Sequence, residues 1–333
     1  MKPFLKYPGG KSKEIPLVRK YMPLNVNRYF EPFVGGGAIY FELDCNKNYI
    51  NDFSDDLIFL YNLVKNQNED LKQLLLEMDN IWGVIEKFNI SENVFNQYSW
   101  IDFNLLNKFY LQSVNNKSKT VQRIKNSGND ISEKNIFEIM VTAKKTAFYM
   151  LVRFLYNNSS KKSIMHAASY YFLREYCYSS MFRFSKNGDF NVPYGGLSYN
   201  YKRMKNKIEY MFSEEMKNKM DKTIVCNYDF EKFIHLFNFD ENDFIFLDPP
   251  YDTEFSTYDQ NVFDKNEQIR LSECLHLLKA KWMLIIKKTD FIYDLYKDFN
   301  IYEYDVNYMV SFKNRNDRDV KHLLITNYDL AEE

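Results

Sequence analysis

Short unbroken apolar runs mark the strands of this chain. Phe244-Ile245-Phe246-Leu247 and Trp282-Met283-Leu284-Ile285-Ile286 show no polar alternation, the pattern of parallel strands buried on both faces. Tyr29-Phe30, Asn48-Tyr49-Ile50-Asn51 and Lys222 to Cys226 read as further strands. Helical signals lie between them. Ser54, Asp55 and Asp56 precede Leu57-Ile58-Phe59-Leu60, and Asp264 with Glu267 forms a capping box before Leu271, Leu275 and Leu278. Two late runs, Tyr302 to Val306 and Leu323 to Thr326, predict an antiparallel edge hairpin, with the long polar loop Ser311 to Arg318 between them.

From about residue 66 this alternation gives way to a helical period. Ile136, Met140, Ala143, Ala147, Leu151 and Leu155 form one stripe. Asn115 to Lys119, continuing to Arg123 and Lys125, and Asn157 to Ser163 read as polar loops flanking it. The stretch closes with Met181 to Gly196, where Asn187-Gly188 between aromatic-rich runs predicts a β-hairpin. The expected organisation is an α/β domain, residues 1–65 and 191–333, carrying a largely helical insertion over residues 66–190.

Composition adds little until the charge is located. The chain of 333 residues is 45% hydrophobic and carries a net charge of −1, so it has enough apolar matter for a sizeable core. Between Asn104 and Phe190, however, 14 Lys and Arg face 5 Asp and Glu, a net of +9 inside a remainder of −10. A basic segment in an acidic scaffold is a mark of nucleic-acid contact; scattered solvated lysines are the plainer reading. Four separated cysteines, no apolar run of membrane length and no signal-peptide core point to a reducing cytoplasm. The histidines at 166, 235, 276 and 322 show no metal or triad spacing, so no metal is expected.

Candidate chemistry gathers at strand ends. Asp248-Pro249-Pro250-Tyr251 follows the 244–247 run; the prolines stop the strand, and a carboxylate, free carbonyls and an aromatic face could grip a planar ring bearing an amine. Gly35-Gly36-Gly37 after the first strand lets backbone N–H groups approach a ligand. Asp52 ends the second strand, where an acid can take two ribose hydroxyls or simply begin the next helix. Asp229-Phe230 follows the third. Gly10-Lys11-Ser12 is not a P-loop, because Leu5 stands where that motif needs glycine; a flexible turn between Tyr7 and Lys11 remains.

In order, Tyr7-Pro8-Gly9-Gly10-Lys11, Glu31-Pro32-Phe33-Val34-Gly35-Gly36-Gly37, Asn51-Asp52, Phe190-Asn191-Val192-Pro193-Tyr194-Gly195, Asp229-Phe230 and Asp248-Pro249-Pro250-Tyr251 resemble the Dam-type, D12 class DNA adenine-N6 methyltransferases. The resemblance spans nearly the whole chain. It implies a Rossmann-like S-adenosylmethionine-dependent methyltransferase sheet with an inserted target-recognition domain and β-hairpin. It further implies methyl transfer from S-adenosylmethionine to the N6 amine of a flipped-out adenine in duplex DNA, at a short site such as GATC. Tyr7 and Lys11 would cover the methionine end of the cofactor. Glu31 and the turn of Gly35 to Gly37 would hold its amino-acid portion, Asp52 the ribose, and Asp229 with Phe230 the adenine, with Phe33 also among the cofactor-binding residues. Asp248, Pro249, Pro250 and Tyr251 would be catalytic, with Asp248 also at the cofactor junction. Arg183 would read guanine, with Met181, Asn187 and Pro193 near it and Lys117, Lys119 and Arg123 on DNA. Tyr7 replaces the tryptophan common in the family, and the insertion is longer than in compact members. The expected partners are double-stranded DNA and a cognate restriction endonuclease, with no membrane, for a bacterial or phage-encoded monomer or weak dimer. An RNA or protein amine methyltransferase and a catalytically silent DNA-binding module are the alternatives.

Overall fold

The computed structural model describes residues 1–7, 9–87, 90–128, 130–251, 263–306 and 320–329. Pro8 and the loop Ser311 to Arg318 lie outside the described residues. The chain divides into two compact units. One comprises Met1–Pro3, Gly9–Asn62 and Asn218–Glu333; the other comprises Phe4–Pro8 and Leu63–Lys217.

The first unit is built on a seven-stranded sheet among the described residues: β1 Arg28–Glu31, β2 Lys47–Asn51, β3 Thr223–Cys226, β4 Asp243–Leu247, β5 Lys281–Lys287, β6 Asn300–Val306 and β7 Val320–Thr326. Their order is β3-β2-β1-β4-β5-β7-β6. β1 through β5 pair in parallel, and β7 runs antiparallel between β5 and β6. This is the α/β methyltransferase arrangement expected from the sequence. The predicted late hairpin is therefore real, although only β6 lies at the edge.

Sheet and helices meet through alternating residues. Ile245 and Leu247 of β4, Trp282, Leu284 and Ile286 of β5, and Leu323 and Ile325 of β7 share one buried cluster. Residues two apart on a strand point to the same face. That face is covered by Phe230, Phe233 and Ile234 from helix Phe230–His235 and by Leu271 and Leu275 from helix Lys265–His276. The latter helix begins as its sequence predicts, with the Asp264 carboxylate accepting the Asn266 and Glu267 N–H groups.

At the opposite end of the strands, Arg28 and Asp243 are cross-strand partners in the β1–β4 register. The Arg28 Nε–Asp243 Oδ1 distance is 2.8 Å, and the Asp243 side chain is fully buried. Arg28→Met would strand a buried carboxylate that keeps only the Asp240 N–H. Its expected cost is about 3 kcal/mol, at the lower end for breaking a buried pair because Arg28 is itself partly exposed. Urea unfolding of the two proteins would measure it.

The second unit is mainly helical, with Glu69–Val84, Phe103–Asn126, Glu133–Asn158, Ile164–Tyr176 and Lys205–Met211 as its longer helices. Trp82 anchors its core against Phe148, Phe172, Tyr176 and Tyr194. The unit runs on past residue 190 to Lys217 for an electrostatic reason. Lys202 and Lys207 reach the fully buried Glu175 at 2.5 and 2.8 Å, and Arg203 reaches Asp79 at 2.7 Å. Burial alone would raise the Glu175 carboxyl, but the two lysines hold it below its ordinary value.

One expectation fails here. Asn115 to Lys119, with Arg123 and Lys125, is not a loop but part of helix Phe103–Asn126. Its inward stripe runs through Leu106, Tyr110, Ser113, Lys117, Val121 and Ile124, all buried or half-buried. Lys117 occupies the place of a hydrophobe in that stripe and is half-buried there. That lysine hides the period from a sequence reading.

Candidate active site

The order of strands places a crevice where the chain's direction of travel reverses. β1 lies between β2 and β4, so connections leave these neighbouring strands to opposite sides. Ligands of open α/β sheets bind at the carboxyl ends of strands at such a point. Glu31 ends β1, and Asp248 follows β4.

After Glu31 the backbone turns through the glycines. Gly35 donates its N–H to Asp52 Oδ2 at 3.0 Å, and Tyr61 Oη donates to the Gly35 carbonyl. Gly37 adopts φ +72°, and a Cβ there would lie 2.8 Å from the Tyr61 hydroxyl. Only glycine fits that left-handed, crowded position. The other Asp52 oxygen accepts the Ser54 N–H at 2.9 Å. Asp52 thus orders the glycine turn and the start of the following helix.

Asn51, beside it, clips three segments together. Its amide donates to the Pro32 and Tyr228 carbonyls and accepts the Tyr228 N–H, at 2.8–3.0 Å. Sequence reasoning treated Asn51 only as part of a motif.

Lys11 Nζ stands 2.7 Å from Asp248 Oδ1 and donates to the Gly9 carbonyl at 3.0 Å. It also lies 5.2 Å from the centre of the Tyr251 ring. Lys11 is nearly buried, whereas 21% of the Asp248 side chain faces solvent. Burial pushes the Asp248 carboxyl above its ordinary value, and Lys11 opposes that push. Glu31 is more enclosed and accepts the Tyr29 hydroxyl at 2.6 Å. Burial, and after it Asp248, raises its carboxyl to about 8, against the Tyr29 hydrogen bond and Lys219. The Tyr251 ring meets His322 of β7 edge to face at 5.4 Å. Burial, with Lys11 and Lys287, lowers that histidine to about 4, so its ring is neutral at physiological pH. Pro249 is buried, and exposed Pro250 accepts a hydrogen bond from Gln268.

Phe33 and Phe230 are brought together, with ring centres 5.5 Å apart and Phe263 against both. Asp229 caps helix Phe230–His235 and pairs with Arg270, whose guanidinium lies over Phe230. Arg270 was missed by sequence reasoning. It lies 41 residues from Asp229, and only its i,i+3 spacing from Glu267 is visible in the sequence.

Tyr7 belongs to the second unit, with its ring 4.5 Å from the buried Arg174 guanidinium. Arg174 also lies 3.8 Å from the Phe182 ring centre, at the root of the predicted hairpin. That hairpin is minimal. A single antiparallel bridge joins Phe184 and Phe190 around a turn with Gly188 at φ +84°. The aromatic runs serve as anchors: Phe182 and Phe190 pack at 4.3 Å, with Tyr156 and Tyr170 around them. Asn157 supplies the missing strand, its amide donating to the Phe190 carbonyl at 3.1 Å and accepting the Phe190 N–H at 2.9 Å.

Arg183 and Asn187 are exposed, Met181 is half-buried, and Arg183 Nε donates to Asn191 Oδ1 at 3.2 Å. Pro193 is exposed, and its carbonyl accepts the Tyr178 N–H. Lys119 and Arg123 are exposed one helical turn apart, whereas Lys117 is half-buried. The turn docks on the last turns of helix Glu133–Asn158. The short link to helix Phe103–Asn126 makes the two helices antiparallel and leaves Lys117, Lys119 and Arg123 beside its first half. At 1.5 Å per residue these basic groups lie roughly 25 Å along the helix from the turn. The structure does not gather them at one spot.

The family description D12 class N6 adenine-specific DNA methyltransferase matches residues 7–310. The chain is similar to the Type II methyltransferase M.CviBI of Paramecium bursaria Chlorella virus NC1A, 29% identical over 98% of this chain and 100% of that protein. It is 28% identical to the Type II methyltransferase M.MjaIII of Methanocaldococcus jannaschii, covering 98% and 99%. The DNA adenine methylase of Escherichia coli K12 is 22% identical over 81% of this chain and 74% of its own length.

Proposed function

Because the chain belongs to the D12 class N6 adenine-specific DNA methyltransferases, we propose that it methylates adenine N6 at one short duplex site, using S-adenosylmethionine and flipping the base out. The observation that carries this reading is the Lys11–Asp248–Tyr251 cluster beside Glu31 and the glycine turn, at the sheet's switch point. The donor set fits the cofactor: a buried acid for an ammonium, the Asp52 carboxylate at the end of β2 for ribose hydroxyls, and backbone at a glycine turn. When bound, S-adenosylmethionine supplies an electrophilic methyl group.

The protein's part is to shape the nucleophile. An adenine amine is poor at attack because its lone pair is delocalised into the ring. Asp248 and the Pro249 carbonyl accept its two N–H bonds, which draws the nitrogen toward tetrahedral geometry and aims its lone pair. Preorganised acceptors and alignment supply the acceleration. Lys11 opposes the push that burial gives the Asp248 carboxyl toward its neutral form, and the surplus amine proton leaves along the N–H···Asp248 bond. Tyr251 stacks on the extruded base, with His322 behind it. Arg183, presented by the aromatic-anchored turn, reads guanine in a GATC-like site.

No helix among the described residues is long and apolar enough to cross a membrane. We assign duplex DNA as the partner, with a cognate endonuclease in the same system, as the Type II relatives' names favour. The deciding experiment is methylation-sensitive sequencing of DNA from cells expressing the protein. N6-methyladenine in one repeated motif is expected; unmodified DNA sinks the proposal. Arg183→Ala should relax preference at one base pair by about 1–3 kcal/mol. Equal weakening across all sites in a duplex competition assay would make Arg183 a phosphate contact instead.

A further inference from the structure

Away from that cluster, helices Phe230–His235 and Lys265–His276 bring three different ligand types together. Glu231 and His235 lie one helical turn apart, and Cys274 comes from the neighbouring helix. One ligand atom from each lies within 4.8 Å of the others. The spacing of the two helical ligands projects both to one side, and the third comes from a segment distant in sequence. The geometry points to a thiophilic divalent-cation site, of the Zn2+ class, that ties these two helices together.

The donors support that class. Sulfur, imidazole nitrogen and carboxylate oxygen are the zinc ligands of proteins, and three of them leave a fourth position for water. Calcium and magnesium would demand more oxygens. Cys274 is buried while His235 is exposed, so the sulfur is sheltered and the site has an open side. The surroundings are acidic. After burial, Glu231 is the next largest influence raising the Cys274 thiol, and Asp229 and Glu273 add to it, with Arg270 opposing. A cation would reverse that balance and release the thiol proton on binding. Arg270 Nε lies 3.2 Å from Glu231 Oε2, so a bound ion would compete with this guanidinium and leave it to Asp229 and Glu267. This site connects helices that carry Asp229 and Arg270, but its existence does not depend on how the strand-end cluster functions.

The test uses Co2+ alone, titrated into the reduced full-length protein. A thiolate-to-cobalt charge-transfer band in the near ultraviolet is expected, and one equivalent of Zn2+ should abolish it. Cys274→Ser should remove the band, while Cys226→Ser should leave it unchanged. His235→Ala alters an exposed residue and so avoids a folding question. It should weaken cobalt binding at least about tenfold, the low end of the loss when even an outer partner of a metal ligand is removed. Zn2+ should raise the thermal midpoint of the wild-type protein and not that of His235→Ala. No band, a band that survives Cys274→Ser, or equal affinity in His235→Ala would overturn the assignment.

Discussion

Asp248→Ala is expected to lower the rate of methyl transfer by about 10³-fold or more while leaving duplex affinity within a few-fold of wild type. The argument rests on position. Asp248 follows the fully buried strand β4 and reaches Lys11 at 2.7 Å. A carboxylate there is an acceptor fixed before the base arrives, and alanine removes it without disturbing the five buried residues of β4. Removal of a single preorganised transition-state hydrogen-bond partner costs about 10²–10³-fold elsewhere. Here the same group also receives the surplus proton, so the upper end is expected. DNA affinity should persist because Arg183, Lys119 and Arg123, proposed to contact the duplex, belong to the other unit, and Tyr251 still stacks on the base. Single-turnover incorporation of tritiated methyl groups, beside fluorescence anisotropy with a labelled duplex, separates the two quantities. Near-normal turnover would remove Asp248 from the chemistry. A parallel loss of affinity would mean that the substitution had damaged more than the acceptor.

Lys11→Met should produce the next largest effect, and it should be pH-dependent. Burial drives Asp248 toward its neutral form, and Lys11 is the main influence holding it down. Removing an opposite charge at this distance raises a carboxyl further. A carboxyl whose pKa rises is ionised only at higher pH, so the acidic limb of the turnover–pH profile should move in the alkaline direction. At neutral pH turnover falls, and on raising pH it recovers. The ammonium 5.2 Å from the Tyr251 ring centre is lost as well, but that loss carries no pH signature. A drop that is uniform from acid to alkaline pH would show that Lys11 acts on binding alone. A change confined to the cofactor's KM would restore the role first expected from the sequence, as a cover for the methionine end.

Much of the catalytic scaffold could be read because its signals are local. β4 and β5 are buried on both faces, so their apolar runs have no competing period. Asp264 caps its helix through neighbours two and three residues away. The misses share a cause, which is distance along the chain. Lys11 and Asp248 were each marked as site residues, but nothing in either neighbourhood shows that they form an ion pair. Arg270 reaches Asp229 across 41 residues, and Asn157 reaches Phe190 across 33. Lys117 misled differently: a cation inside a helical stripe looks like a break in the period, although the residue is half-buried there. The spread of Lys117, Lys119 and Arg123 away from the turn likewise follows from how two helices pair, which charge counting does not contain.

The way the turn after Phe182 is fastened bears on how such a protein can acquire a new address. Its aromatic roots and the Asn157 clasp secure the loop from below, while Lys186, Asn187, Gly188 and Asp189 at its tip are exposed. Substitutions at Lys186, Asn187 and Asp189 therefore remove little buried contact. If this turn reads bases as proposed, selection can vary the letters that are read at little cost to folding. A lineage under pressure to mark different sequences can explore that tip freely, one inherited catalytic body serving many dialects.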